Sequence, residues 1–141
     1  MQFKRILFPV DFSEHAEKSL SRSSQFLSGA ELEEVHLLYV LHTPTDYSTW
    51  SEDPTGDVQR RLDAVGGSID LPPQVQLKST VMEGHPSTQI CKYAASHKCD
   101  LIVMATHGRT GLSHMMLGST AEQVVRHAPC PVLTLRVAPT N

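Results

Sequence analysis

The chain has 141 residues, enough to bury one substantial core, and a single domain over 1–141 is expected. Twelve basic and fifteen acidic residues leave a net charge of −3 with no basic stripe, and only 6% of residues are aromatic. That argues against nucleic acid as a partner, because neither a phosphate-neutralising surface nor a base-stacking platform is present. No apolar run approaches the roughly 20 residues of a membrane span.

The opening, M-Q-F-K-R-I-L-F-P-V-D, has a basic pair but no apolar core long enough for a signal peptide, so it reads as a strand. Cys91, Cys99 and Cys130 are odd in number and show neither C-x-x-C nor zinc spacing. They read as buried or incidental thiols of a reducing cytosol.

Phe3 to Val10 forms the first expected strand. Pro9 cannot donate to a ladder, so pairing should stop there. Asp11-Phe12-Ser13 turns into a helix from about Glu14 to Leu27, with Ser13 as N-cap and Ser28-Gly29 as its stop. Asp11 is left at the carboxyl end of the strand, where a turn role and a ligand contact carry equal weight. Ala16, Leu20 and Leu27 mark the inner helix face.

Glu34 to Leu41 is the second strand. His36 and His42 read as satisfied or exposed polar groups, not ligands. His42 to Gly56 is a long polar connection holding Trp50, taken as its anchor. A second helix carries Val58, Leu62 and Val65 and ends at Gly66-Gly67. Val75 to Met82 alternates like an edge strand. Pro86 suits a first helical position, and Ile90, Tyr93, Ala94 and His97 share one face of the third helix.

The most informative stretch is Asp100 to Thr120. Leu101 to Met104 suits a strand buried on both faces. A glycine-bearing loop, Ala105 to Gly111, follows, and Gly118-Ser119-Thr120 opens a fourth helix with Val124, Val125 and Ala128 inward. Ser119-x-x-Glu122 matches a capping box. Strand, glycine loop and helix start together make an anion site, because backbone amides and the helix dipole converge there. The segment is therefore expected to hold the phosphates of a nucleotide. Val132 to Val137 is the last strand.

Five strands alternating with four helices give an α/β three-layer sandwich, α/β/α, with a five-stranded parallel sheet of Rossmann-like type. Ligands in such sheets sit beyond the carboxyl strand ends. If the first and fourth strands are neighbours, Pro9, Val10 and Asp11 face the same crevice as Ala105 to Gly111. No Gly-Lys-Ser/Thr of a Walker-A loop follows the strand, and Gly108-Arg-Thr-Gly111 is a weak glycine motif. The paired acids of a phospho-receiver, a G-x-S-x-G elbow and metal-ligand spacing are all missing from the sequence.

I-L-F-P-V-D-F-S, H-L-L-Y-V, V-M-A-T-H-G-R-T-G-L and L-G-S-T-A-E-Q-V-V-R-H-A-P-C-P-V-L-T-L together resemble the universal stress protein family over nearly the whole chain. Gly108 and Gly118 stand with nine residues between them, followed by Ser119, as in the family's nucleotide-binding branch. The resemblance implies an adenine nucleotide α-hydrolase-like fold and a cytoplasmic, often dimeric, ATP-binding regulatory protein of stress responses. It implies that Pro9, Val10 and Asp11 border adenine and ribose, and that Val40 lies against the base. Ala105, His107, Gly108, Gly118, Ser119 and Thr120 would line ribose and phosphates. Arg109 and Thr110 are further candidates beside the phosphates, with an exposed turn carrying equal weight for Arg109. Mg²⁺, if bound, would be held mainly by the phosphates.

Ala105 replaces the first glycine of the pattern. A methyl is tolerable there unless the backbone needs a positive φ, which would cost about 1 kcal/mol or more. The resemblance also implies a homodimer through Val132 to Val137, with Arg136 at the seam, and a further protein partner of unknown identity. Two alternatives stand beside the nucleotide switch: a dimeric adaptor that has lost nucleotide, and a slow ATPase.

Overall fold

The computed structural model describes residues 3–12, 14–26, 31–42, 53–106 and 117–136. Nine elements alternate along the chain: β1 (Arg5–Pro9), α1 (Glu14–Phe26), β2 (Glu34–Leu41), α2 (Pro54–Gly67), β3 (Gln76–Glu83), α3 (Pro86–Ser96), β4 (Leu101–Ala105), α4 (Ser119–His127) and β5 (Val132–Leu135). The five strands form one sheet in the order β3-β2-β1-β4-β5, with every pairing parallel. The chain winds outward from β1 to β3, then restarts beside β1 and winds the other way. The expected neighbours β1 and β4 are thus paired, with Ile6 opposite Leu101, and the winding reverses between them.

The central strands are apolar on both faces, which is why their sequences lack alternation. Ile6, Phe8, Val35, Leu37, Tyr39, Leu101 and Val103 pack with Leu20 of α1 and Val58 and Leu62 of α2. Leu7, Leu38, Ile102 and Met104 pack on the opposite face with Ile90, Tyr93 and Ala94 of α3 and Ala121 and Val124 of α4. These two cores make the three layers. Val75 to Met82 was expected at an edge, and β3 is indeed the outer strand beyond β2.

Several local expectations are corrected. α2 starts at Pro54, because Asp53 caps it by accepting the Gly56 N–H at 3.1 Å, so the long connection is shorter than 42–56. Its end is as expected, with Gly66 and Gly67 closing the last turn. A Cβ on Gly66 would sit 2.8 Å from Leu77 Cδ2, the free end of an exposed side chain of β3. The capping box at Ser119 does not form. Gly118 is the N-cap, Ser119 is the first helical residue, and no side chain caps the helix. Val125 is 49% exposed, and Ala121 takes the inward place expected for it. His97 caps α3 at its carboxyl end and is exposed, with its ring stacked on Tyr93 at 3.8 Å. Ser13, Leu27, Ser28, Gly29 and Trp50 lie outside the described residues.

Candidate functional site

Above the point where the winding reverses, a cavity of about 360 Å³ opens at the carboxyl ends of β1, β2 and β4. Six separate segments line it. β1 and its exit contribute Pro9, Val10 and Asp11, and β2 contributes Leu38, Tyr39 and Val40, with His42 just beyond it. β4 and its exit contribute Met104, Ala105 and Thr106, and the start of α4 contributes Gly118, Ser119, Thr120 and Ala121. Pro86 and Ile90 of α3 and Ala16 of α1 close the wall.

Eight of the residues singled out from sequence therefore meet at one cavity: Pro9, Val10, Asp11, Val40, Ala105, Gly118, Ser119 and Thr120. His107, Gly108 and Arg109 lie outside the described residues. Sequence reasoning missed Met104, His42, Pro86 and Ile90. Met104 was findable, since strand alternation puts it on the same face as Ile102. The α3 residues were not, because their place depends on how the third crossover lies on the sheet.

Backbone groups give the cavity its polarity. Val10 N–H donates to Leu38 C=O at 2.8 Å, one residue past the end of β1. Strand alternation turns the Val40 N–H and C=O to the same side as those of Leu38. β1 has already left the sheet there, so this donor–acceptor pair faces the cavity. At the opposite end, Gly118 N–H donates to Thr106 C=O at 2.7 Å, which fixes the start of α4 beside the end of β4. Amides of the first helical turn have no partner within the helix, and Ser119 and Thr120, which carry two of them, line the cavity.

Ala105 ends β4 without strain. Among the described residues, only Phe12 and Lys98 combine a side chain with a positive φ. The methyl in place of glycine is thus carried by ordinary backbone. Phe12 is the unexpected feature, with φ 61 immediately after Asp11. For a bulky side chain this conformation costs about 1–3 kcal/mol and persists only where the surroundings impose it.

Outside the cavity, all three cysteines are free thiols. Burial pushes Cys99 up to about 11 and also raises Cys91 and Cys130. Raised thiols are poor nucleophiles, in keeping with the inert roles expected for them. Among the described residues, no group of three or more His, Cys, Asp or Glu is arranged to hold a metal ion, and no helix is long and apolar enough to cross a membrane.

The comparisons with known proteins agree with this geometry. Residues 2–136 match the model of the universal stress protein family. Universal stress protein MJ0577 of Methanocaldococcus jannaschii is 26% identical over 165 residues, spanning 96% of each chain. A universal stress protein of Thermus aquaticus is 29% identical over 136 residues, spanning 95% of this chain and 99% of that one. A third relative, MJ0531 of M. jannaschii, is 45% identical over 62 residues, which cover 44% of this chain and only 36% of that protein. The solved structure of MJ0577 superposes with a TM-score of 0.73 at 27% identity, covering 99% of this chain and 100% of that one. More distant structures share the fold. One is a universal stress protein in complex with cAMP, at 16% identity and TM-score 0.70 over 98% of this chain and 100% of that one. Another is an Arabidopsis thaliana family member with AMP bound, at 17% identity and TM-score 0.60 over 96% of this chain and 92% of that one. The family model spans nearly all of the sequence and the structure of MJ0577 shares its architecture, so the chain belongs to the universal stress protein family.

Proposed function

We propose that this protein binds an adenine nucleotide in the cavity above β1, β2 and β4, with ATP as the working ligand, and acts as a nucleotide-dependent regulatory module. The observation that supports the reading is that eight of the residues implied by the family resemblance, drawn from four separate stretches of the sequence, line one cavity. Its volume of about 360 Å³ falls within the ordinary range of small-ligand sites, about 300–1,000 Å³. The fold also holds cAMP and AMP in the two distant structures.

The chemistry divides along the cavity. The Val40 N–H and C=O complement N1 and the exocyclic amine of adenine, while guanine presents the opposite polarity. Pro9 and Val10 flank the base, and the Asp11 carboxylate accepts hydrogen bonds from ribose hydroxyls. The first-turn amides of α4 at Ser119 and Thr120 receive the phosphates, where the helix dipole favours negative charge. By the family resemblance, Ala105, His107, Gly108 and Gly118 complete the set, with Arg109 a further candidate beside the phosphates; Mg²⁺, if bound, would be held mainly by the phosphates.

The same reading gives a homodimer through β5. The Ile102 N–H donates to the Pro131 carbonyl and the Thr106 N–H to that of Leu135. Odd-numbered residues of this strand therefore face β4, and the backbone groups of Val132 and Thr134 face outward from the sheet edge. The direct test of the nucleotide reading is to denature the purified protein and identify any released small molecule by chromatography and mass. Stoichiometric adenine nucleotide is expected. A guanine nucleotide in its place would contradict the role given to Val40.

A further inference from the structure

Asp11 lines the cavity, yet the next residue leaves it. Phe12 packs against the core on the α1/α2 side of the sheet. Its ring stacks on Tyr39 of β2, with centroids 4.7 Å apart and planes 19° from parallel. The Arg61 guanidinium of α2 covers the ring at 4.2 Å from its centroid. Tyr39 is only 5% exposed, so the floor of this stack is fixed. Consecutive side chains therefore point to different regions, and the left-handed backbone at Phe12 makes that divergence possible. An unclamped phenylalanine leaves that region of φ, because it is sterically disfavoured for any residue with a Cβ.

We infer that Phe12 is a positioning residue: its ring, held between Tyr39 and Arg61, sets the backbone turn that presents Asp11 to the bound nucleotide. This rests on the nucleotide reading above and adds to it. It also ties α2, through Arg61, to the ligand site on the other side of the turn. Neither Phe12 nor Arg61 lines the cavity, so any effect they have on binding passes through the residues they hold.

The test is a set of Mg·ATP titrations with thermal unfolding measured on each variant. Phe12→Ala is expected to weaken binding about 3- to 10-fold, the range set by losing one aromatic pair. Arg61→Gln, an exposed change that leaves the fold intact, is expected to weaken it about 2- to 5-fold. Phe12→Tyr keeps the stack and is expected to bind within twofold of the parent chain. Phe12→Gly accepts the left-handed φ but lacks the ring, so it is expected to bind no better than Phe12→Ala.

The decisive comparison repeats Phe12→Ala and Arg61→Gln in an Asp11→Ala background, where a residue acting through Asp11 has nothing left to position. Loss of the additional effect supports the inference. The same fold-loss with and without Asp11 overturns it, as does native affinity in Phe12→Gly. These results are distinguishable from failure of the nucleotide reading, in which the parent chain itself binds no Mg·ATP.

Discussion

His36 Nε2 lies 2.8 Å from Glu34 Oε2, two residues earlier on the same face of β2, and the imidazole is completely buried. Lys78 also reaches the Glu34 carboxylate, at 3.4 Å. The His36 hydrogen bond, with help from Lys78, holds Glu34 below its ordinary range. An ionised carboxylate only accepts, so His36 Nε2–H donates to it. Nδ1 is then the acceptor for the Tyr93 hydroxyl at 2.7 Å, and the tyrosine oxygen lies 3.4 Å from Thr80 Oγ1. The chain is satisfied with a neutral imidazole. Burial outweighs the attraction of Glu34 and lowers the His36 pKa, with His97 and Lys78 adding repulsion.

Acid should therefore destabilise the fold in two stages. His36 is depressed relative to its ordinary 6.5, so the unfolded chain takes up its proton first as pH falls below that value. Stability present above pH 6.5 is lost on acidification, with a slope of at most about 1.4 kcal/mol per pH unit for one proton. Glu34, depressed from 4.5, adds a second loss below that pH. Urea unfolding between pH 8 and pH 2 measures both. His36→Gln is expected to flatten the upper stage, and an unchanged profile would remove His36 from the account.

Tyr93→Phe takes away the partner of His36 Nδ1 and leaves a buried acceptor unpaired. A destabilisation of about 1–3 kcal/mol is expected at neutral pH. The double variant Tyr93→Phe/His36→Leu should recover part of that loss, because it removes both polar partners together. Chemical denaturation of the two proteins decides it.

Gly118→Val tests space in the cavity. Gly118 has φ −61 and ψ 154, which any residue adopts, so the backbone does not require glycine. A branched side chain here occupies the buried start of α4 beside the proposed phosphates. Binding of Mg·ATP should fall more than tenfold while circular dichroism stays native. Unaltered binding would move the phosphates away from α4.

Thr134→Pro tests the outer edge of β5. The Thr134 amide points away from β4, so proline removes no hydrogen bond within the sheet and is tolerated on an edge strand. Sedimentation velocity should show a dimer for the parent chain and a monomer for the variant. A monomeric parent chain would exclude edge pairing through β5.

The sequence was most readable where one residue type has one physical consequence. Unbroken apolar runs at Ile6–Phe8 and Leu101–Met104 marked strands covered on both faces, and Pro86 marked the first turn of α3. The two cavity ends were legible as well, from Asp11 after β1 and Gly118-Ser119-Thr120 before α4. What stayed hidden depends on tertiary contact. Ser119 and Glu122 have capping-box spacing, but Gly118 N–H is held by Thr106 C=O and the helix begins one residue away from that pattern. Phe12 shows no local sign of left-handed backbone, since its clamp comes from Tyr39 and Arg61, 27 and 49 residues later in the chain.

The central claim is tested most directly by calorimetric titration of nucleotide-free protein with Mg·ATP, alongside Asp11→Ala. One site per chain is expected. Loss of one charge-assisted contact in Asp11→Ala should weaken it about 10- to 100-fold. Absence of binding at millimolar Mg·ATP in the parent chain, with its fold intact, would contradict the nucleotide switch and leave a family member that works through protein contacts alone.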